Sequence, residues 1–585
     1  MSASEYPQSA MTGVPATTEF VMPSGLHVQV TDIVGPPQEH LPEFFALVAR
    51  NRVQLGVPDS KVLADCELTR PPADIQKELA DLGDGLTPHT AYAVWLRSTR
   101  MPDYVDRLAQ TPQPESGVTL SEYIKGKWAD LTYHVKEDKG TLIGTEHPHL
   151  KSGVRYKEGY YWDIADAIDG LVEEAQTDPS KWGLIFGVLR NFATRIERNS
   201  ERLGTPEEGF IENGMRLYYN SRSQPPKFVG MVKRVAEFFP DAVEEFLPAI
   251  VKEYNWWMKG AKDLDGRKGV YASDHTVLMP DGSVLNRYWD TRDDPRPEGY
   301  WEDVRAAALN PKVPAPLVYR RQRIMGETGR DFTGQYCEDP ERVETAYPDR
   351  IVPVDLNSLL WEYEDFIAAA HERAGRSVLA RQAGEARDAR AAAMNKYQWF
   401  GDEQTGFYSD FLFDPRFEQG APTGISSMTM AYAASRGLSP KERARSTVRN
   451  MNAKHLKRWG YVATLLLVEH QWDPNAWAPD QNEADKANER VAALTGDIHW
   501  ERQRQIARPR WVGAHARIYN QTGKIVEKNH ASNADPLSVV NGEYVMDDGF
   551  LWTNAVIRRF MAREVQCPTL IVVRTGQSHL LHTTR

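Results

Sequence analysis

The chain has 585 residues, 41% of them hydrophobic and 26% charged, with a formal net charge of −11 and a calculated pI near 5.8. This is the composition of a soluble globular protein with a substantial core, long enough for several domains or one large toroidal domain. The acidic balance, with no Lys/Arg tract, speaks against nucleic acid; the longest apolar stretch, Tyr461–Val468, is too short for a membrane span; and Cys66, Cys337 and Cys567 are too scattered for a disulfide framework or a zinc site.

The N-terminus, MSASEYPQSAMTGVPATTEF, lacks the basic and apolar regions of a secretory leader. The expectation is a cytoplasmic protein, a monomer or weak homo-oligomer, with residues 1–25 a flexible tail and 26–585 one domain. Apolar residues at three-and-four spacing predict helices at 41–55, 120–135, 162–176, 180–204, 225–240 and 241–260, then at 356–375, 439–460, 482–507 and 550–563. One hairpin is predicted in TVLMPDGSVLNRYW (276–289), turning at Pro280-Asp281-Gly282, and TLIVVRT (569–575) reads as a short strand or a packed tail. Helices in this number, joined by long Pro/Gly-rich connections, point to an all-α fold rather than βαβ units.

The connections hold the unusual chemistry. GVRYKEGYYWD (153–163), NGMRLYYNSRSQPP (213–226), RYWDTRDDPRPEGYWED (287–303), GETGRDFTGQY (326–336), EHQWDPNAWAPDQ (469–481), IVEKNHASNAD (525–535) and NGEYVMDDGFLWTN (541–554) each mix aromatics with Arg, Asn, Asp or Glu. Any one of them is explained by capping and turn chemistry. Seven together, in a chain with 16 Trp and 24 Tyr, fit a cleft for a hydroxylated ligand, with rings to stack on sugar faces and polar groups to bond hydroxyls. From its own neighbourhood, Asp331 reads equally as a helix cap, a turn former or a working acid, and Glu527 as a loop glutamate beside Lys528.

NGMRLYYNSRSQPP, RPEGYWEDV, QWDPNAWAP, EKN and GEYVMDDGFLWTN resemble motifs of the trehalases of glycoside hydrolase family 37. GVRYKEGYYWD is similar to that family's P-G-G-R-F-x-E-x-Y-Y-W-D signature, and TGRDFT to its S-G-W-D-F-S segment. The resemblance runs in order from about residue 60 to 563. It implies an (α/α)6 toroid with a small β-hairpin and long functional loops, inverting hydrolysis of α,α-trehalose to two glucoses, and no metal or organic cofactor. By the same match Asp331 is the general acid and Glu527 the base. Arg155, Asn213, Arg222 and Arg296 fall where the family bonds the glucose being cleaved, with Trp162, Asp163, Glu298 and Trp472 shaping that subsite. Tyr156, Tyr160, Gln224 and Glu543 match contacts to the leaving glucose.

Four departures stand out. Ser152-Gly153-Val154-Arg155-Tyr156 replaces P-G-G-R-F; QWDPNAWAP lacks one residue after Asp473 and has Ala476 for a glycine; HASNADPLSVVN (530–541) replaces a glycine-rich lid; and Arg330 stands where the family has Trp. Arg330 has two readings: pointing away to pair with an acidic neighbour such as Glu327 or Glu338, or entry into the leaving-group subsite to bind an anionic aglycone. Three functions follow: a trehalase, a same-mechanism hydrolase of another α-glucoside, or a non-catalytic sugar binder on a trehalase-like scaffold.

Overall fold

The structure is a computed structural model that describes residues 35–102, 104, 117–413, 420–539, 547 and 549–564, together with the backbone of two short paired strands, Thr18–Val21 and His27–Val30. The 569–575 segment and Glu543 lie outside the described residues.

Twelve helices build the body, numbered here in chain order. They are α1 (Leu120–Leu131), α2 (Tyr161–Ala175), α3 (Lys181–Leu203), α4 (Phe228–Ala236), α5 (Ala242–Trp257) and α6 (Val354–Arg373), then α7 (Ser377–Tyr397), α8 (Met430–Arg436), α9 (Lys441–Asn450), α10 (Ala478–Thr495), α11 (Ile498–Thr522) and α12 (Leu551–Glu564). Helix α2 packs on α4, α4 on α6, α6 on α8, α8 on α10, α10 on α12, and α12 returns to α2, so the even-numbered helices close a ring. Outside it, α3 backs α2, α5 backs α4, α7 backs α6, α9 backs α8, α11 backs α10 and α1 backs α12. This is the (α/α)6 toroid. Between the rings lie the apolar stripes that the helical spacing marked, among them Ile164, Leu171, Val188, Phe192, Phe228 and Ile250, all buried.

Local signals explain most boundaries. Helix α1 begins in a capping box, with Thr119 and Glu122 each accepting the other's backbone N–H. The single helix expected over 482–507 is two helices, because Gly496 takes a left-handed φ of 66° and Asp497 caps the next helix by accepting from His499 N at 2.9 Å. The expected hairpin is present, Thr276–Leu278 pairing with Val284–Asn286 in antiparallel register. Helices α7 and α8 were not legible. Alanine-rich α7 has little apolar contrast, and Met430–Ala434 of α8 are buried all round, so neither shows a one-sided stripe.

First turns of the inner helices carry polar and aromatic residues to a common opening: Trp162 and Asp163 on α2 and Trp552 on α12. Helices Pro42–Arg50, Ser60–Ala64, Pro72–Asp81 and Pro88–Ser98 gather around Phe44, Phe45 and Trp95 beside that opening.

Candidate active site

A pocket of about 750 Å³, mouth included, opens at the N-terminal ends of the inner helices. Arg155, Tyr156, Tyr160, Trp162, Asp163, Asn213, Arg222, Gln224, Arg296, Glu298, Trp472, Asp331 and Glu527 all line it. Two residues named from the sequence do not join them: Glu543, outside the described residues, and Arg330.

Asp331 stands just past the helix Ala315–Thr328. Gly329 ends that helix at φ 70°, and a Cβ there would lie 2.6 Å from Trp162 Cζ2, so only glycine lets the chain turn this close to the pocket wall. The loop beyond is pinned on both sides. Arg330 N donates to Thr328 Oγ1 at 3.0 Å and Trp472 N to Phe332 O at 3.1 Å, while Asp473 accepts from Thr333 Oγ1 and Gly334 N, each at 2.8 Å. Burial pushes the Asp331 carboxyl up to about 6, against the lowering pull of Arg296 and Arg222 and with help from the negative Glu527. The arginines work against a protonated acid, and desolvation outweighs them.

Glu527 precedes the strand Lys528–His530, which pairs antiparallel with Asn475–Trp477. Its carbonyl accepts from Trp552 Nε1 and Thr553 Oγ1, both at 3.1 Å, and its carboxylate lies 3.2 Å from Lys528 Nζ. Asp163, on α2, is driven well above its usual range by burial, with Glu527 adding to the rise.

The arginines are held by carboxylates, two of them outside the pocket and one, Glu298, in its lining. Arg155 makes a two-bond pair with Asp59 at 2.5 and 2.8 Å, and Arg296 pairs with Asp303 at 2.8 Å. Arg222 binds Glu298 at 2.5 Å, has Asp290 Oδ2 3.8 Å from its Nη1, and leaves Nε and Nη1 without a hydrogen-bond acceptor. Gln224 Oε1 accepts from Trp162 N at 3.1 Å, and Asn213 Nδ2 donates to Gly326 O at 2.9 Å. Four indoles form the wall: Trp472 stacks on Trp477 at 4.2 Å and 7°, and Trp162 and Trp552 meet edge to face at 5.7 Å. Aromatic faces in one pocket with fixed guanidinium and amide donors are what a sugar ring requires. Among the described residues, no cluster of three or more His, Cys, Asp or Glu is placed to hold a metal ion.

Arg330 is buried away from this pocket. Its Nη2 lies 2.9 Å from Asp480 Oδ1 and its Nε 3.8 Å from Asp355 Oδ2, and its guanidinium sits 4.9 Å over the Trp472 ring. Of its two readings, the ion pair with an acidic residue holds, with Asp480 and Asp355 in place of Glu327 or Glu338, and Arg330 does not line the pocket. Asp480 and Asp355 are both buried and supply the charge compensation that a buried guanidinium needs.

A model of the trehalase family matches residues 84–564. The chain belongs to the trehalase family. It is a glycoside hydrolase of the trehalase type. Periplasmic trehalases of Escherichia coli O139:H28 and O7:K1 are 32% and 33% identical to it over 461 residues, covering 78% of this chain and 75% of theirs. The solved structure of neutral trehalase Nth1 from Saccharomyces cerevisiae shares the fold, with a TM-score of 0.53 at 23% identity over 77% of this chain and 82% of that one. The curated relatives correct the cytoplasmic placement expected from the sequence, because they are periplasmic.

Several lining residues of this trehalase-family pocket escaped the sequence reading: Lys61, Tyr219, Gln471, Trp477, Phe550 and Trp552. All but Lys61 lie inside loops already marked as unusual. Lys61, and Asp59 behind Arg155, lie ahead of the family match in a segment whose only visible signal is a helix cap, Asp59 accepting from Val62 N.

Proposed function

We propose that this chain hydrolyses α,α-trehalose to two glucoses with inversion, Asp331 acting as general acid and Glu527 as general base. The observation that carries the reading is the unequal setting of two carboxyls lining one pocket. Asp331 is pushed up to about 6 by burial, while Glu527 sits beside an ammonium 3.2 Å away. Inversion needs this asymmetry, one group protonated toward the leaving oxygen and the other ionised toward a water, roughly 6.5–9.5 Å apart.

In this mechanism a glucose rests on the indole wall, its hydroxyls bonded by Arg222, Arg296 and Asn213 and by Arg155, which Asp59 holds in place. The Asp331 proton passes to the glycosidic oxygen as its bond to the anomeric carbon breaks. Glu527 takes a proton from a water attacking the opposite face, and the new C–O bond forms there. One product leaves as β-glucose from attack, the other as α-glucose from the leaving group. Glu527 then holds the proton that Asp331 lacks, and exchange with solvent resets both.

Proton NMR of the first turnovers of trehalose tests this. Equal initial α and β anomers are expected, with Asp331→Asn and Glu527→Gln each slowed by about 10²–10⁴-fold. Only α-glucose at early times, or either variant at wild-type rate, overturns the assignment.

A further inference from the structure

Four carboxyls line the pocket, Asp163, Glu298, Asp331 and Glu527; Arg222 holds Glu298 at 2.5 Å, and among the other three the base must be the one that is ionised. We propose that Lys528 is the positioning residue that gives the negative charge to Glu527 rather than to Asp163 or Asp331. The inference rests on the assignment of Glu527 as base and names the group that makes it so.

Lys528 is completely buried, does not line the pocket, and puts Nζ 3.2 Å from Glu527 Oε2. Two features hold the ammonium there. Lys528 is the cross-strand partner of Trp477, and Nζ lies 4.7 Å over the Trp477 ring. Trp477 is itself locked by stacking on Trp472. A lysine reaching a carboxylate across an aromatic face has little freedom to move away.

The surrounding charges give the ion pair its consequence. Asp163, from α2, faces Glu527 and is raised by it. Asp331 feels the charges of Arg296, Arg222, Glu527 and Lys528. Without a local cation, a single negative charge would be shared among three neighbouring carboxyls. An ammonium at 3.2 Å from one of them favours that one most strongly, because the attraction grows as the separation shrinks. Burial itself pulls Lys528 below its ordinary lysine value, and Glu527 opposes that fall, so the two charges sustain each other.

The test is the pH dependence of kcat/KM on trehalose for wild type, Lys528→Met and Lys528→Arg. Loss of an opposite charge at this range moves a carboxyl by about 1–3 pH units. The acidic limb of Lys528→Met should therefore rise by at least about one unit, with the basic limb rising less, and KM should stay within about twofold. Lys528→Arg should restore the acidic limb. An acidic limb in Lys528→Met that coincides with wild type, whatever the loss of kcat, overturns the inference, since a packing defect lowers rate without moving the profile. Lys528→Gln gives the same readout if the methionine variant does not fold. Glu527→Gln separates the two claims. Full activity there defeats the base assignment itself, whereas an inactive Glu527→Gln beside an unmoved Lys528→Met profile defeats only the role of Lys528.

Discussion

Asp59→Asn is the substitution that reads the pocket's dependence on residues ahead of the family match. Asp59 does two things: its carboxylate accepts from Val62 N at 3.1 Å, capping the helix Ser60–Ala64, and it binds Arg155 through two bonds at 2.5 and 2.8 Å. Asparagine caps a helix as well as aspartate does, so the variant keeps shape and cap and removes the charge. Both Arg155 and Asp59 are buried. Removing one member of such a pair costs about 3–5 kcal/mol, because the remaining charge is left without compensation in a desolvated place. One amide oxygen still accepts from Arg155, which favours the lower end. If that loss falls on transition-state binding, about 3 kcal/mol corresponds to about 100-fold in kcat/KM. Urea unfolding monitored by tryptophan fluorescence, alongside glucose release from trehalose, measures the two shares. Asp59→Ala should cost about 1 kcal/mol more in stability through the lost cap. A variant within about 0.5 kcal/mol and twofold of wild type would refute the claim that Asp59 holds Arg155 for function.

Two further outcomes follow from the same geometry. The Asp331 carboxyl, about 6 when folded against an ordinary 3.8, binds more protons folded than unfolded between these values. Stability contributed by its protonated form is thus lost as pH rises from about 4 to 6, and Asp331→Asn should be more stable than wild type above pH 6 by about 2–3 kcal/mol. Below pH 4 the two should coincide, which thermal unfolding across pH checks. Arg330→Met strands the buried Asp480 and Asp355 and should destabilise by about 3–5 kcal/mol. Its preference between trehalose and an anionic α-glucoside should stay unchanged in competition assays; a shifted preference would return Arg330 to the substrate pocket.

Much of this site could be read from the chain because its residues travel in compact motifs. Arg155, Tyr156, Tyr160, Trp162 and Asp163 fall within one loop and helix start, so a local match carries five lining residues at once. Two functional positions lie outside any such motif: Lys61, which lines the pocket, and Asp59 behind Arg155 come from a short helix start whose own signal is only an N-cap. Nothing in such short stretches tells which way a side chain will face. Helices α7 and α8 show the same limit in the fold: periodicity reveals a helix with one wet face, and it fades when a helix is buried all round or built mostly of alanine.

The sequence by itself determined the helical series, the hairpin and the polar, aromatic loops that meet at the pocket, because helical spacing, capping and turn chemistry act over a few residues. Tertiary structure decided what each charge is for. Arg330 and Lys528 each follow or precede a proposed catalytic carboxyl by one position, and the chain alone does not separate them. Ring closure brings Arg330 to Asp480 and Asp355, while pairing of the Lys528 strand with Trp477 leaves the lysine ammonium 3.2 Å from Glu527. Electrostatic partners are chosen by distance through space, and only the closed toroid sets those distances.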